Sequence, residues 1–195
     1  AMGGEPIAWP LLDRHASRHA DGAIVMVLAS EKVAENLSPC PVWVTGVGWC
    51  NGAASLESRD WGHIPYVRSA AEMAYSQAGI GQPHLDLDFV EIDDIYAYKE
   101  LQTLEALGIC DPGQAGSLTE AGGTEMFGEL PVNPSGGSLG MGDLLDANGM
   151  ARALEVVLQL RGEAGMRQLD EVEIGLAQAW RGVPTTSSAV AIFQV

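Results

Sequence analysis

Short apolar runs alternate along the chain with longer segments of helical periodicity. Continuous or alternating apolar runs predict buried strands, and helically spaced apolar positions followed by glycine predict helices. The predicted strands are residues 23–29, 42–47, 87–92, 173–179 and 189–195. The predicted helices are residues 31–37, 64–78, 98–107 and 147–161. The last is the most apolar, so we expect it to be the most buried helix. This order predicts a three-layer α/β/α domain with a five-stranded mixed sheet, whose last two strands are antiparallel.

Composition and charge narrow the class of protein. The 195 residues, of which 47% are hydrophobic, fit one domain spanning residues 1–195. The formal net charge of −16 and the scattered basic residues argue against nucleic-acid binding. The sequence contains neither an apolar run of about 20 residues nor a signal-peptide pattern, so we expect no membrane span. The three cysteines lack metal-ligand spacing and are odd in number, which favours a reduced, cytoplasmic setting.

A pair of histidines and a group of tryptophans are expected to have structural rather than functional roles. His15 and His19 are four residues apart, a spacing that can bind a metal ion on a helix. The sequence offers no third ligand and places arginines beside both histidines, so we predict no metal site. Trp43, Trp49 and Trp61 are expected in the core.

Four segments, in order, resemble the C-terminal domain of the thiolase superfamily. Residues 21–31 (DGAIVMVLASE) match its opening strand, and residues 90–101 match its strand-to-helix segment with the motif VEIDDIY. Residues 107–110 (LGIC) continue that segment, and residues 133–137 (NPSGG) match its glycine loop. The resemblance covers essentially the whole chain and is closest to the sterol-carrier-protein type and to acetyl-CoA acetyltransferases.

The resemblance implies a substrate class and a partner. Each active site of that family is built by two similar halves, and the N-terminal half supplies a cysteine that is acylated by coenzyme A. The chain therefore resembles a C-terminal half that needs an N-terminal half or a separate thiolase-like subunit. A homo-oligomer through the same face and a small OB-fold zinc-ribbon protein are further partner hypotheses. The implied substrate is a coenzyme A thioester, with no bound cofactor.

Asp93 and Asp143 occupy positions where the family carries catalytic histidines, and Tyr96 lies close to the first. An ionised carboxylate repels an oxyanion, so ordinary thiolysis is disfavoured. One hypothesis makes Asp93, Asp143 and Tyr96 catalytic, with two coupled carboxyl groups serving as acid and base. The other makes the aspartates helix caps.

The glycine-rich stretch of residues 111–142 predicts a long structured loop, a type that is usually functional. By the same resemblance, its end would form a backbone wall for the acyl chain or pantetheine arm. The substrate-binding candidates are Asn133, Ser135, Gly136, Gly137 and Gly142. A tight loop required by the fold is the alternative. Two functions therefore stand: half of a thiolase-like acyl-CoA enzyme, or a non-catalytic subunit that binds acyl-CoA or completes an assembly.

Overall fold

The computed structural model describes residues 4–53, 55, 57–182 and 186–195. The helices in these ranges are α1 (Glu31–Leu37), α2 (Pro65–Ala78), α3 (Pro83–Asp86), α4 (Ala97–Ala106), α5 (Ala115–Glu120), α6 (Gly137–Met141) and α7 (Asn148–Leu160). The strands are β1 (Pro6–Ala8), β2 (Leu11–Leu12), β3 (Trp43–Asn51), β4 (Phe89–Glu91), β5 (Ile174–Arg181) and β6 (Ser187–Gln194). None of the helices described is long and apolar enough to cross a bilayer.

The main sheet has four strands in the order β3-β6-β5-β4. Strand β6 pairs antiparallel with β3 on one side and with β5 on the other, whereas β4 pairs parallel with β5. The predicted mixed sheet, with its last two strands antiparallel, is therefore confirmed. Strands β1 and β2 form a separate antiparallel pair.

Helices cover both faces of the main sheet. Leu176 and Ile192 belong to a core that includes residues of α2 and α4. Ala177 and Phe193, one position further along each strand, belong to a second core with residues of α7. Because successive strand residues point to opposite faces, the two cores lie on opposite sides of the sheet. The three-layer α/β/α architecture is confirmed.

Helix α2 lies where the sequence predicts a helix and packs closely on β3. Pro65 occupies its first turn, and Gly79 ends it in the left-handed region with a φ of 76°. A Cβ atom added at Gly46 or Gly48 would overlap backbone carbonyls of this helix. The two glycines of β3 therefore allow α2 to lie close against this strand.

The predicted strand at residues 23–29 is wrong, so the main sheet has four strands rather than five. These residues pair with no other described strand. Met26 packs against the second core, whereas Val25, Val27 and Leu28 are 85%, 87% and 81% exposed. An apolar pattern predicts an extended backbone, but it does not reveal whether a pairing strand is present.

Helix α7 has more buried residues than α2, seven of 13 against six of 14, as predicted. Its buried face is nevertheless largely polar. The buried polar residues on it are Asn148, Arg152, Glu155 and Gln159. The prediction that the tryptophans lie in the core is wrong for Trp49 and Trp61, which are 65% and 63% exposed.

Candidate active site

The segment after β4 carries two of the predicted catalytic residues. The backbone N–H of Asp93 donates to Oε1 of Gln178 on β5 at 2.9 Å, and Gln178 in turn donates to Ser188 Oγ at 3.0 Å. These bonds fix the end of β4 against β5. Asp93 is fully buried, and burial raises the pKa of its carboxyl, although a nearby guanidinium opposes the shift.

That guanidinium belongs to Arg152 of α7. Its Nη2 lies 3.4 Å from Asp93 Oδ2 and 3.6 Å from Asp94 Oδ1. It also donates from Nε to the carbonyl of Ile92 at 3.0 Å and from Nη2 to Ser138 Oγ at 2.8 Å. One buried cation therefore ties the end of β4 to α6 and α7.

Asp94 anchors the glycine loop. Its carboxylate accepts hydrogen bonds from the backbone N–H groups of Ser138 at 2.7 Å and of Leu139 at 3.2 Å. A Cβ atom at Gly137 would overlap this carboxylate, and Gly136 and Gly137 both have positive φ. Gly137 is thus required by its close approach to Asp94 and by its positive φ, whereas Gly136 is required by its positive φ alone.

The substrate-binding candidates Asn133 and Ser135 also form hydrogen bonds within the chain. Asn133 accepts the backbone N–H of Ile92 at 2.7 Å and donates to Glu100 at 2.9 Å. Ser135 gives Glu91 both its backbone N–H and its hydroxyl, each at 2.8 Å. Burial raises the pKa of Glu91 and of Glu100 to about 7. The loop is therefore held to β4 by Glu91 and to α4 by Glu100, two carboxyl groups whose pKa values are raised to about 7.

Asp143 lies in a different environment, at a cavity of about 530 Å³. Its Oδ1 accepts hydrogen bonds from Asn148 Nδ2 at 2.6 Å and from the backbone N–H of Leu145 at 2.8 Å. Its Oδ2 lies 3.6 Å from Nδ1 of the exposed His19. The cavity is also lined by Trp49, Asn51, Ile95, Trp180, Arg181 and Ser187.

The predicted catalytic residues do not converge. Of the three, Asp143 alone is among the described residues that line this cavity. Asp93 is enclosed beside Arg152, and Tyr96 is partly exposed and stacks on Tyr98 with ring centroids 5.8 Å apart. Ile95 lines the cavity, so the segment after β4 reaches it through an apolar side chain. Gly142 instead lines a surface depression beside His19.

Three residues with clear structural partners were not predicted. His19 pairs with Asp143, Asn148 orients the same carboxylate, and Arg152 neutralises the end of β4. An arginine in the most apolar predicted helix is a signal for the last of these, because a charged residue on such a helix is buried only with a partner. In the sequence, His19 stands out only by its metal-ligand spacing from His15. The part of the chain that the structure describes contains no cluster of three or more metal-ligating side chains.

The cysteines Cys40, Cys50 and Cys110 are free and partly buried. None of them is among the described residues lining the cavity at Asp143. Burial, with help from nearby carboxylates, raises the pKa of Cys110 to about 11, so its thiol stays protonated at neutral pH.

Comparison with known proteins identifies the family to which this chain belongs. The profile of the family described as "Thiolase C-terminal domain-like" matches residues 50–195. The chain belongs to this family.

Individual relatives match a longer stretch of the chain than the family profile does. An acetyl-CoA acetyltransferase of Methanothermobacter thermautotrophicus is 36% identical over 193 residues, which are 98% of this chain and 50% of that protein. Sterol carrier protein 2 of Bos taurus is 35% identical over 163 residues, 80% of this chain and 30% of that protein. The solved Ltp2-ChsH2(DUF35) aldolase shares the fold with a TM-score of 0.84 at 24% identity, over 98% of this chain and 49% of that one. The chain thus spans half or less of the length of each.

Proposed function

We propose that this chain is the C-terminal half of a thiolase-like acyl-CoA protein that acts together with an N-terminal half. That half is either a separate subunit or the rest of a longer polypeptide. Support comes from the family membership and from the relatives, of which the acetyl-CoA acetyltransferase is matched over 50% of its length.

The observation that carries the partner proposal is the extended segment at residues 23–29. Met26 covers the domain's own core, while Val25, Val27 and Leu28 face outward. The backbone of the segment makes no hydrogen bond with another described residue. An apolar extended backbone with unpaired N–H and C=O groups is a template for strand addition. We expect a strand of the N-terminal half to pair with it.

The proposed reaction class is acyl transfer, or formation or cleavage of a C–C bond on acyl-CoA. Covalent acyl transfer needs a thiolate beside a base. Because none of the three cysteines is among the described residues that line the cavity, the nucleophile would come from the partner. Asp143 is the candidate acid or base of this half, since the residue lines the cavity and its carboxylate is oriented by Asn148. Tyr96 would contribute only through an altered arrangement in the complex.

A non-catalytic subunit is the second candidate, and one observation favours it. The carboxyl groups that replace family histidines are both engaged within the chain, Asp93 with Arg152 and Asp143 with Asn148. Aspartates with such partners can stabilise the fold without taking part in catalysis. A subunit of this kind would bind acyl-CoA or complete an assembly.

Reconstitution separates the two functions. The chain alone should have no thiolase or C–C cleavage activity. In a reconstituted complex with a cysteine-bearing N-terminal half, Asp143→Asn should lower turnover at least tenfold, or about 1.4 kcal/mol of barrier. Asp170→Asn, at an exposed carboxylate away from the cavity, is the matched control. Replacing all three cysteines by alanine should leave turnover unchanged.

Full activity of Asp143→Asn would remove the acid/base assignment. A complex that forms and binds acyl-CoA without turnover would favour the non-catalytic subunit. Loss of activity in the cysteine-free variant, at unchanged thermal stability, would place the nucleophile in this half.

A further inference from the structure

A second cavity, of about 300 Å³, has an unusual concentration of aromatic rings. We call it the aromatic pocket. It is lined by the rings of Trp61, Tyr66, Tyr98 and Trp180. Trp61 is 63% exposed and Tyr66 is 8% exposed, so one wall of the pocket lies at the surface and another in the core. Trp180 also lines the cavity at Asp143, so the two cavities are neighbours.

The aromatic pocket contains a buried lysine. Lys99 is 4% exposed, and its Nζ lies 4.5 Å from the ring centroid of Trp180. Its ammonium has three N–H donors, and Gln102 Oε1 accepts one of them at 3.1 Å. The pocket's own carboxylate, Asp60, is bonded to His63 at 2.7 Å and to backbone N–H groups. A buried ammonium with a single oxygen acceptor is costly unless another acceptor reaches it.

Two further groups define the polarity of the pocket. Arg59 contributes a second cation to the lining, with its guanidinium 6.0 Å from the ring centroid of Trp61. Thr186 Oγ1 is buried with no hydrogen-bond partner among the described residues and belongs to a residue of the same lining. Aromatic cages also bind cationic ligands. Here, Lys99 already occupies the face of Trp180, and a second cation would be repelled.

We propose that the aromatic pocket binds a ring-bearing carboxylate, whose anionic group accepts hydrogen bonds from Lys99 and whose ring packs among the aromatic side chains. A carboxylate supplies the acceptor that the ammonium lacks, in a charge-assisted hydrogen bond. Flat rings stack well on tryptophan and tyrosine, and 300 Å³ is at the small end of ligand-site volumes. This inference goes beyond the proposed function, because binding here requires neither turnover nor the partner half.

The test uses 2-naphthoate as the probe and 2-naphthylmethanol as its uncharged analogue. Calorimetric titration of the 195-residue chain should give one naphthoate site per chain. Lys99→Met should weaken naphthoate binding at least tenfold, while binding of the alcohol should not weaken. The chain contains two lysines, Lys32 and Lys99. Lys32 is exposed on α1, so Lys32→Met is the matched control and should leave both affinities unchanged.

A second measurement needs no variant. Acetic anhydride labels free amines, and mass spectrometry of peptides reports Lys32 and Lys99 separately. Saturating naphthoate should slow acetylation of Lys99 at least fivefold and leave Lys32 unaffected. The proposal is overturned if naphthoate binds equally well to Lys99→Met, if it does not bind, or if it fails to protect Lys99. Activity of the reconstituted complex plays no part in either result, so failure here leaves the proposed function standing.

Discussion

Arg152→Met tests whether one buried cation holds the candidate site together. Methionine keeps an unbranched apolar side chain but removes the charge that faces Asp93 and Asp94 at 3.4 and 3.6 Å. It also removes the hydrogen bonds to the Ile92 carbonyl and to Ser138 Oγ. Removing one partner of a buried ion pair typically costs about 3–5 kcal/mol. We therefore expect a loss of about 4 kcal/mol of unfolding free energy at pH 7.

In the variant, Asp93 can become protonated instead of remaining a buried, unpaired charge. The loss of stability therefore cannot exceed the cost of this protonation, and that cost depends on pH. An ordinary aspartate has a pKa of about 3.9, so holding one neutral at pH 7 costs about 4 kcal/mol, and at pH 5 about 1.5 kcal/mol. Without Arg152, the folded-state pKa of Asp93 rises further above its unfolded value, so the variant recovers stability as pH falls. Burial already raises the pKa of Asp93 in the wild type, so the wild type also gains stability as pH falls, and the difference between variant and wild type is smaller. The penalty should shrink by about 1 to 2 kcal/mol between pH 7 and pH 5.

Urea unfolding followed by tryptophan fluorescence at both pH values measures the penalty. Arg161→Met, at an exposed position just after α7, is the control and should change stability by less than about 0.5 kcal/mol. A penalty below about 1 kcal/mol, or one that is equal at pH 5 and pH 7, would show that Arg152 does not act through the charges of Asp93 and Asp94.

Further predictions concern pH and packing. Because the pKa values of Glu91 and Glu100 are raised to about 7 in the folded state, the folded protein binds more protons than the unfolded chain, and urea titrations should show stability rising by about 2.5 kcal/mol for each group from pH 8 to pH 5. Burial lowers the pKa of Lys99 to about 8, so Lys99→Met should gain about 3 kcal/mol at pH 7, a gain that disappears between pH 8 and about 10.5. In thermal unfolding, Gly137→Ala should lose about 2–4 kcal/mol through overlap and its positive φ, whereas Gly116→Ala, with open space around it, should gain about 0.5 kcal/mol.

Local signals in the sequence were sufficient for most of the fold. Pro65 and Gly79 bracket α2, and the alternating apolar positions of β5 and β6 predict two strands that pair. The failure at residues 23–29 has a physical cause. The continuous apolar run there predicts a strand buried on both faces, whereas the structure buries one side only, through Met26. Pairing depends on a neighbouring strand that the described residues do not contain.

The candidate site was harder to predict, because its chemistry depends on contacts between distant segments. By resemblance, Asp93 and Asp143 both lie at positions where the family has a histidine, so the sequence does not distinguish them. In the structure, Asp93 is enclosed with Arg152, whereas Asp143 lies at a cavity. The resemblance predicts the glycine pair at residues 136–137 as a ligand wall, whereas in the structure Gly137 makes room for Asp94 and both glycines have positive φ. Lys99 carried no sequence motif, and its burial among aromatic rings is visible only in three dimensions.

The central claim, that this chain is completed by an N-terminal thiolase half, is tested most directly by hydrogen exchange at residues 23–29. These amides make no backbone hydrogen bond with another described residue, so they should exchange rapidly in the chain alone. Mixing with a cysteine-bearing N-terminal thiolase half from the same organism should give a stoichiometric complex and slow their exchange at least a hundredfold, about 2.7 kcal/mol of protection. The amides of α2, which are already bonded within their helix, should change little. Rapid exchange at residues 23–29 within a formed complex, or the absence of any complex, would contradict the account.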